Sequence, residues 1–230
     1  MNLENKIAIV TGASKGIGLA TCKILLERGM KVAGWSRSMP DINDPNFRFF
    51  KVDVGDEKQV GEAYLKTKAA FGNSIHVLIN NAGLGFEGKF EEMSTEQWQT
   101  MFNVNVNGIF FCSREVIPEM KRLDGAHIIN ISSIAGTNGI ERMAGYCGTK
   151  FAVRGISHSM FKELRQDGIK VTCIYPGSTK TNFFDDFDSI NAHDNMMMPE
   201  DIGETIVHAL ESSPNFHHVD IEVRPLKPRG

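Results

Sequence analysis

The sequence predicts an α/β fold: a single domain on a mostly parallel sheet, covered by helices on both faces. Three observations carry that expectation. Short apolar runs of strand length alternate with longer segments of helical spacing along the whole chain. The first apolar run ends in a glycine-rich turn, Thr11-Gly-Ala-Ser-Lys-Gly-Ile-Gly18, that opens directly into a helical pattern. The 230 residues, 41% hydrophobic and 23% charged, are enough for one full core and too few for two comfortable domains. No internal repeat, low-complexity tract or linker divides them.

Ile7 to Thr11 reads as the first strand, and Ile17 to Arg28 as a helix stopped by Gly29. Lys31 to Trp35 and Phe47 to Val52 are the next strands, joined by the turn-rich Met39 to Pro45. Asp56 to Phe71 is a helix closed by Gly72, and Val77 to Asn80 a buried strand running into Asn81-Ala-Gly83. Ser94, with Glu96 and Gln97 behind it, caps one long helix reaching Met120. Ala126 to Ile131 is a strand that delivers Ser132 and Ser133. Tyr146 to Asp167 is a helix ended by Gly168, followed by the strand Lys170 to Ile174. Residues 182–198 read as irregular, Pro199 starts a helix to about Ser212, and Val219 to Val223 is a last short strand.

Bulk chemistry excludes several classes. A net charge of −3 without a Lys/Arg cluster leaves no footprint for nucleic acid. No apolar run reaches the roughly eighteen residues of a membrane span, and Met1 to Lys6 carries no signal-peptide pattern. Cys22, Cys112, Cys147 and Cys173 are scattered, which suits a reducing, cytoplasmic setting. Cys147 beside Tyr146 invites a redox reading, but a small helix residue pointing away from the active face is the better account.

The spacing G-x-x-x-G-x-G, at Gly12, Gly16 and Gly18, lies between strand and helix. Glycines permit the tight turn and let backbone N–H groups of the loop, which also holds Ser14 and Ile17, approach a pyrophosphate at the positive end of the helix. The alternative is a turn required only for packing. At the end of the second strand stands Trp35-Ser36-Arg37, with no carboxylate to bind a ribose 2′-hydroxyl. Arg37, with Lys15 in the glycine loop, instead suits a 2′-phosphate and so NADP(H); otherwise the two are solvated surface cations. Asp53 and Val54 end the third strand, placed for an adenine edge.

Tyr146 and Lys150, four apart on a helix, share one face, where an ammonium lowers a phenol's pKa from its usual value near 10. Ser133 lies thirteen residues before Tyr146. With the glycine turn, Asn80-Asn-Ala-Gly83, Asn105-Val-Asn-Gly108, Ile131-Ser-Ser133 and Pro176-Gly177, these residues make up motifs in an order and spacing that resemble the short-chain dehydrogenase/reductase family. The resemblance runs from residue 6 to about 181. It implies a seven-stranded Rossmann-type sheet and a tetrad of Asn105, Ser133, Tyr146 and Lys150. Tyr146 exchanges the proton, Lys150 depresses its pKa and holds the nicotinamide ribose, Ser133 binds the substrate oxygen, and Asn105 anchors a water. It also implies cofactor contacts from Asn81, Ala82, Gly83, Pro176 and Gly177, with Thr179 and Thr181 on the nicotinamide side. Thr179 departs mildly from the family's apolar β-branched residue.

The resemblance assigns substrate choice to residues 182–198, where Phe183, Phe184, Phe187 and Met196 to Met198 suit a movable lid over an apolar or medium-sized carbonyl compound, or simply pack on the body. Asp185, Asp186 and Asp188 read as a solvated face rather than a Mg²⁺ site, and His217-His218 as a surface pair without metal. A 3-oxoacyl-carrier-protein reductase is an alternative, weakened by this acidic lid and by the Val219-Asp-Ile-Glu-Val223 tail. A nucleotide-binding regulatory protein without turnover is another. Relatives pair their long helices as homodimers or homotetramers, and Phe151, Val153, Ile156, Met160 and Phe161 on the Tyr146 helix suit such burial or burial within one chain.

Overall fold

The computed structural model describes residues 1–72, 74–184, 187 and 193–227. Its strands are β1 (Ile7–Thr11), β2 (Lys31–Ser36), β3 (Phe47–Lys51), β4 (Ile75–Asn80), β5 (Ala126–Ile131), β6 (Ile169–Pro176) and β7 (Asp220–Val223). They form one seven-stranded sheet in the order β3-β2-β1-β4-β5-β6-β7, every pair parallel. The expected α/β, single-domain, Rossmann-type architecture is thus what the chain adopts, with every strand pair among the described residues parallel.

Parallel strands need crossovers, and the helices supply them: α1 (Gly16–Glu27), α2 (Glu57–Phe71), α3 (Thr95–Phe102), α4 (Gly108–Met120), α5 (Ala144–Leu164) and α6 (Pro199–Glu211). Ala8 and Val10 of β1 pack with Cys22 and Leu25 of α1 and Ile202 and Ile206 of α6. Ile7 and Ile9 face the other way, onto Val60 of α2, Val116 of α4 and Leu164 of α5. Burial on both faces explains why β1, β4 and β5 read as continuous apolar runs rather than alternating ones. Chain order reverses between β1 and β4, so a crevice opens above the C-terminal ends of the strands at that point.

Most helix ends fall where the sequence signals place them. Asp56 accepts from the Lys58 and Gln59 amides at the start of α2, and Ser94 forms a capping box with Gln97 at the start of α3. One expectation is corrected. The single helix from Ser94 to Met120 is interrupted by a π-turn at Asn103–Asn107. Three asparagines in five residues are poor helix formers. The inserted residue turns the Asn105 carboxamide inward to the Leu84 backbone, while Asn107 donates to the Asn103 side chain at 2.9 Å.

The histidine pair is also corrected. The segment after α6 folds back beneath β5 and β6, so His217 and His218 are half-buried rather than a surface pair. His217 lies edge-on to Phe161 and to His127, and its Nε2 donates to the Val171 carbonyl at 3.0 Å. His127 is fully buried. Thr172 donates its hydroxyl proton to the His218 carbonyl, so His127 Nε2 carries the proton shared with Thr172 at 2.8 Å, and Nδ1 has no hydrogen-bond partner. Burial first, then His217, Lys170, the N-terminal amine and His218, hold its pKa well below the ordinary value.

A depressed histidine pKa means that below about pH 6.5 the unfolded chain binds a proton the folded chain refuses. Stability is therefore full above that pH and falls by about 1.4 kcal/mol per pH unit below it for this group. Urea unfolding at pH 7.5 and 5.5 is expected to show the loss, and His127→Gln is expected to reduce it. An unchanged acid slope in that variant would count against His127 as the source.

Candidate active site

The crevice is a cleft of about 510 Å³ over the switch point. Its floor begins at Thr11, the last residue of β1. The Thr11 hydroxyl accepts the amides of Asn81 and Ala82, both at 3.0 Å, and the Asn81 side chain donates back to the Thr11 carbonyl at 2.9 Å. The loops after β1 and β4 are thereby locked together. Gly12 has φ +67°, and a Cβ there would come within 2.8 Å of Asn81 Nδ2. Gly18 lies under the turn rather than in the cleft wall: a Cβ there would fall 2.3 Å from the Gly12 carbonyl oxygen.

Lys15 occupies the N-cap of α1 without a side-chain cap, and no acidic residue sits in the first turn. The helix therefore presents its amides and the positive end of its dipole to the cleft, beside Ser14, Gly16 and Ile17. Arg37, exposed beyond β2, lines the same cleft. Ser36 is held by a bond from its hydroxyl to the Ser38 carbonyl at 2.8 Å. Asp53 is the one carboxylate of the lining among the described residues, and one of its oxygens already accepts the Gly55 amide at 2.9 Å. Val54, Asn81, Ala82, Gly83, Pro176, Gly177, Thr179 and Thr181 complete that wall.

Tyr146 and Lys150 enter the cleft from the first turns of α5, and Ser133 from the end of β5. Ser133 lies close enough to Tyr146 to lower its phenol pKa. Ser133 Oγ accepts the Ala135 amide at 3.1 Å, which leaves its proton free to donate. The neighbouring Ser132 is committed elsewhere, donating to the Lys150 carbonyl at 3.0 Å and tying β5 to α5. Of the two serines, the structure brings Ser133 to the tyrosine.

Lys150 is buried, with its Nζ donating to the Ile131 carbonyl at 2.9 Å and standing 5.6 Å from the Tyr146 ring centroid. Burial lowers its pKa to about 8. Burial also raises the Tyr146 pKa, with the nearby Ser133 hydroxyl partly offsetting it. The expected depression of the phenol by Lys150 is therefore not the dominant effect here, because the ammonium is itself desolvated and turned to Ile131.

Asn105 is buried and does not reach the cleft. Its carboxamide donates to the Leu84 carbonyl and to Thr149 Oγ1 at 2.8 and 2.9 Å, and accepts the Leu84 amide at 2.9 Å. It is a brace between the β4 loop and α5. A Cβ on Gly83 would sit 3.3 Å from Asn105 Oδ1 and 3.6 Å from Lys150 Nζ, so this glycine keeps the gap between them. Thr11, Leu84 and Thr149 escaped the sequence reading. Only the threonine before the first glycine carried any signal, as the last residue of a strand aimed at a turn.

Of the proposed lid, Phe183 lies 5.2 Å from Tyr146 and Phe187 lies 5.4 Å from Phe183, ring centre to ring centre. Lys180 pairs with Asp194 at 3.4 Å, and Thr179 forms a parallel bridge with Met197. Asp185, Asp186 and Asp188 lie outside the described residues, and of Phe184 only the backbone is described. Cys147 is buried in an apolar cluster with Tyr146 and Met101, as a packing residue outside any disulfide. No group of three potential metal ligands occurs among the described residues.

Comparison with known proteins now bears on this geometry. The short chain dehydrogenase family profile matches residues 6–191. The chain belongs to the short-chain dehydrogenase family. An uncharacterized oxidoreductase of Staphylococcus saprophyticus is 33% identical over 236 residues, covering 98% of this chain and 100% of the relative. The 3-ketoacyl-(acyl-carrier-protein) reductase of Brucella melitensis, solved with NADH, superposes with a TM-score of 0.89 at 26% identity, covering 96% of this chain and 97% of that one. ElxO, solved with NADP, superposes at 0.84 with 28% identity, covering 95% and 97%. As a short-chain dehydrogenase, the chain is an oxidoreductase by family. No helix among its described residues is long and apolar enough to cross a membrane.

Proposed function

We propose that this short-chain dehydrogenase is an NADP(H)-dependent oxidoreductase interconverting a carbonyl compound and a secondary alcohol, with Tyr146 as proton donor and acceptor. One observation carries the reading: Ser133, Tyr146 and Lys150 open into the same cleft as the glycine turn and the uncapped start of α1. The residues fit a dinucleotide. A Cβ at Gly12 would collide with Asn81 and Ala82 and one at Gly18 with the Gly12 carbonyl, and α1 offers its free amides beneath the turn. Gly12, Ser14, Gly16, Ile17 and Thr181 would hold the phosphates, with Asp53 and Val54 at the adenine and Pro176, Gly177 and Thr179 near the nicotinamide. When bound, the cofactor supplies or accepts the hydride.

The chain's own groups do the rest. In reduction Tyr146 gives its phenolic proton to the substrate oxygen, and in oxidation it takes that proton back. Ser133 donates a hydrogen bond to the same oxygen as charge builds on it. Lys150 supplies positive charge one helical turn away and, with Tyr146, would hold the nicotinamide-side ribose. Asn105 positions these groups through Leu84 and Thr149, and a water bound near it would link Lys150 to solvent.

NADP(H) rather than NAD(H) is favoured by Arg37 and Lys15 and by the lack of a carboxylate after β2. Similarity to a ketoacyl reductase supports a second reading, reduction of an acyl thioester. The buried thiols suit a cytoplasmic setting. The exposed rings of Phe110 on α4 and Phe151 on α5 support a homodimer or homotetramer through those helices; sedimentation at the mass of one chain would overturn it.

Fluorescence titration with NADPH and NADH, followed by cofactor oxidation with ketones, aldehydes and acyl thioesters, tests the function. Tight NADPH binding with turnover of a carbonyl supports it. Binding with no turnover across that panel would favour a regulatory nucleotide-binding protein, and failure to bind either nucleotide would overturn the reading altogether.

A further inference from the structure

The helix that carries Tyr146 begins without the usual fastenings. Its N-cap, Met143, makes no side-chain cap bond, and no acidic residue stands in its first turn. Tyr146 is the third residue of that helix, so any movement of the first turn moves the phenol. What holds the turn comes from outside it.

The residue before the cap, Arg142, has φ +62°, a left-handed backbone that a non-glycine residue keeps only where its surroundings impose it. Bonds to the loop after β4 impose it. The Arg142 carbonyl accepts the Gly88 amide at 2.9 Å, and Arg142 Nε donates to Glu87 Oε1 at 2.9 Å. Burial of the pair is unequal: the Arg142 side chain is 41% exposed and the Glu87 side chain 5%. The carboxylate is the buried member, and a buried carboxylate stays charged only beside a cation. Next to Arg142, Met143 is buried in one cluster with Met101, Tyr146 and Cys147.

The same pair fixes the loop after β4. That loop is held at Leu84 by Asn105, and at Glu87 and Gly88 by Arg142. Between these anchors the Gly85 backbone lies against aromatic rings. A Cβ there would stand 3.1 Å from Tyr146 Cδ2 and from Phe183 Cζ, which leaves the Tyr146 ring no room on that side. The ring is thus set from two directions, by its own helix and by Gly85, and the Glu87–Arg142 pair joins the two. Neither Glu87 nor Arg142 is among the described residues that line the cleft.

We infer, resting on the proton exchange proposed above, that Glu87 and Arg142 are positioning residues for Tyr146. Their ion pair ties the loop after β4 to the start of α5 and, acting through Gly85 and Met143, holds the phenol in its working place beside Ser133.

The test compares Glu87→Gln, Arg142→Asn and Arg142→Lys with the parent chain. Asparagine tolerates left-handed backbone better than most residues, so Arg142→Asn removes the guanidinium and keeps the turn. The chain has three tyrosines, Tyr64, Tyr146 and Tyr175, so labelling with meta-fluorotyrosine gives one fluorine resonance for each, and Tyr146→Phe assigns the one of interest. In Glu87→Gln and Arg142→Asn the Tyr146 resonance is expected to shift or broaden while those of Tyr64 and Tyr175 stay in place. The NADPH dissociation constant is expected to stay within a few-fold. With the ketone or aldehyde that the parent turns over fastest, kcat is expected to fall about tenfold or more, because a small misplacement of a reacting group is costly. Arg142→Lys, which keeps a cation for Glu87, is expected to recover part of that loss. A Tyr146 resonance that is unmoved, or that moves only together with Tyr64 and Tyr175, overturns the positioning role, as does an unchanged kcat. Turnover of no carbonyl by the parent overturns the chemistry of the proposed function instead, and the Tyr146 resonance then still decides whether the pair holds the ring.

Discussion

Tyr146→Phe is expected to lower kcat by about 10² to 10⁴ while leaving the NADPH dissociation constant within a few-fold. The change removes one oxygen and keeps the ring that packs against Phe183 and Phe187. Turnover needs that oxygen because, among the described residues, no other group lining the cleft beside Ser133 is placed to exchange a proton: Lys150 donates to Ile131, and Ser132 donates to the Lys150 carbonyl. The raised phenol pKa sharpens the expectation. At neutral pH Tyr146 is protonated, the form required to reduce a carbonyl, so its loss removes a group already in its working state. Single-turnover oxidation of bound NADPH separates the step from product release. Loss of NADPH binding in parallel with turnover would show that Tyr146 holds the site together rather than reacting, and full activity would remove it from the chemistry.

How much of this was legible in the sequence follows from the range of each interaction. The β1–turn–α1 unit was readable because its determinants are local: Gly12 and Gly16 take positive φ in the turn, and a Cβ on Gly18 would strike the Gly12 carbonyl oxygen. Tyr146 and Lys150 were readable because four residues of helix put them on one face. The choice of Ser133 over Ser132 rested on spacing and on the family resemblance; the structure gives it a physical basis, since Ser132 fastens β5 to α5.

What the sequence concealed is tertiary. The π-turn at Asn103–Asn107 exists because Asn105 pairs with the Leu84 backbone, 21 positions earlier, and no periodicity reports that pairing. His217 and His218 looked like surface residues because only the path of the chain after α6 brings them against Phe161 and under β6. The electrostatics of Lys150 were missed for a related reason. A lysine four residues from a tyrosine suggests a charge acting on a phenol, yet burial of both groups dominates each pKa.

Arg37→Asp is expected to weaken NADPH binding by about 10²-fold and to move preference toward NADH. A charge-assisted bond to phosphate contributes on the order of 1.5–3 kcal/mol, roughly 10- to 150-fold in affinity, and a carboxylate adds repulsion to its loss. The replacement also supplies the group that NAD-type sites use for a ribose hydroxyl, at the end of the second strand where they place it. Arg37 is exposed and forms no ion pair among the described residues, so the substitution removes little from the fold. Salt gives an independent reading: raising ionic strength should weaken NADPH more than NADH in the parent chain, and the gap should shrink in the variant. Lys15 remains in Arg37→Asp, which is why the preference is expected to shift rather than vanish, and Lys15→Ala added to it should complete the change. Equal NADPH affinity in the parent and in Arg37→Asp would mean that the cation after β2 is a solvated surface charge, and that nucleotide choice rests on backbone contacts of the glycine turn.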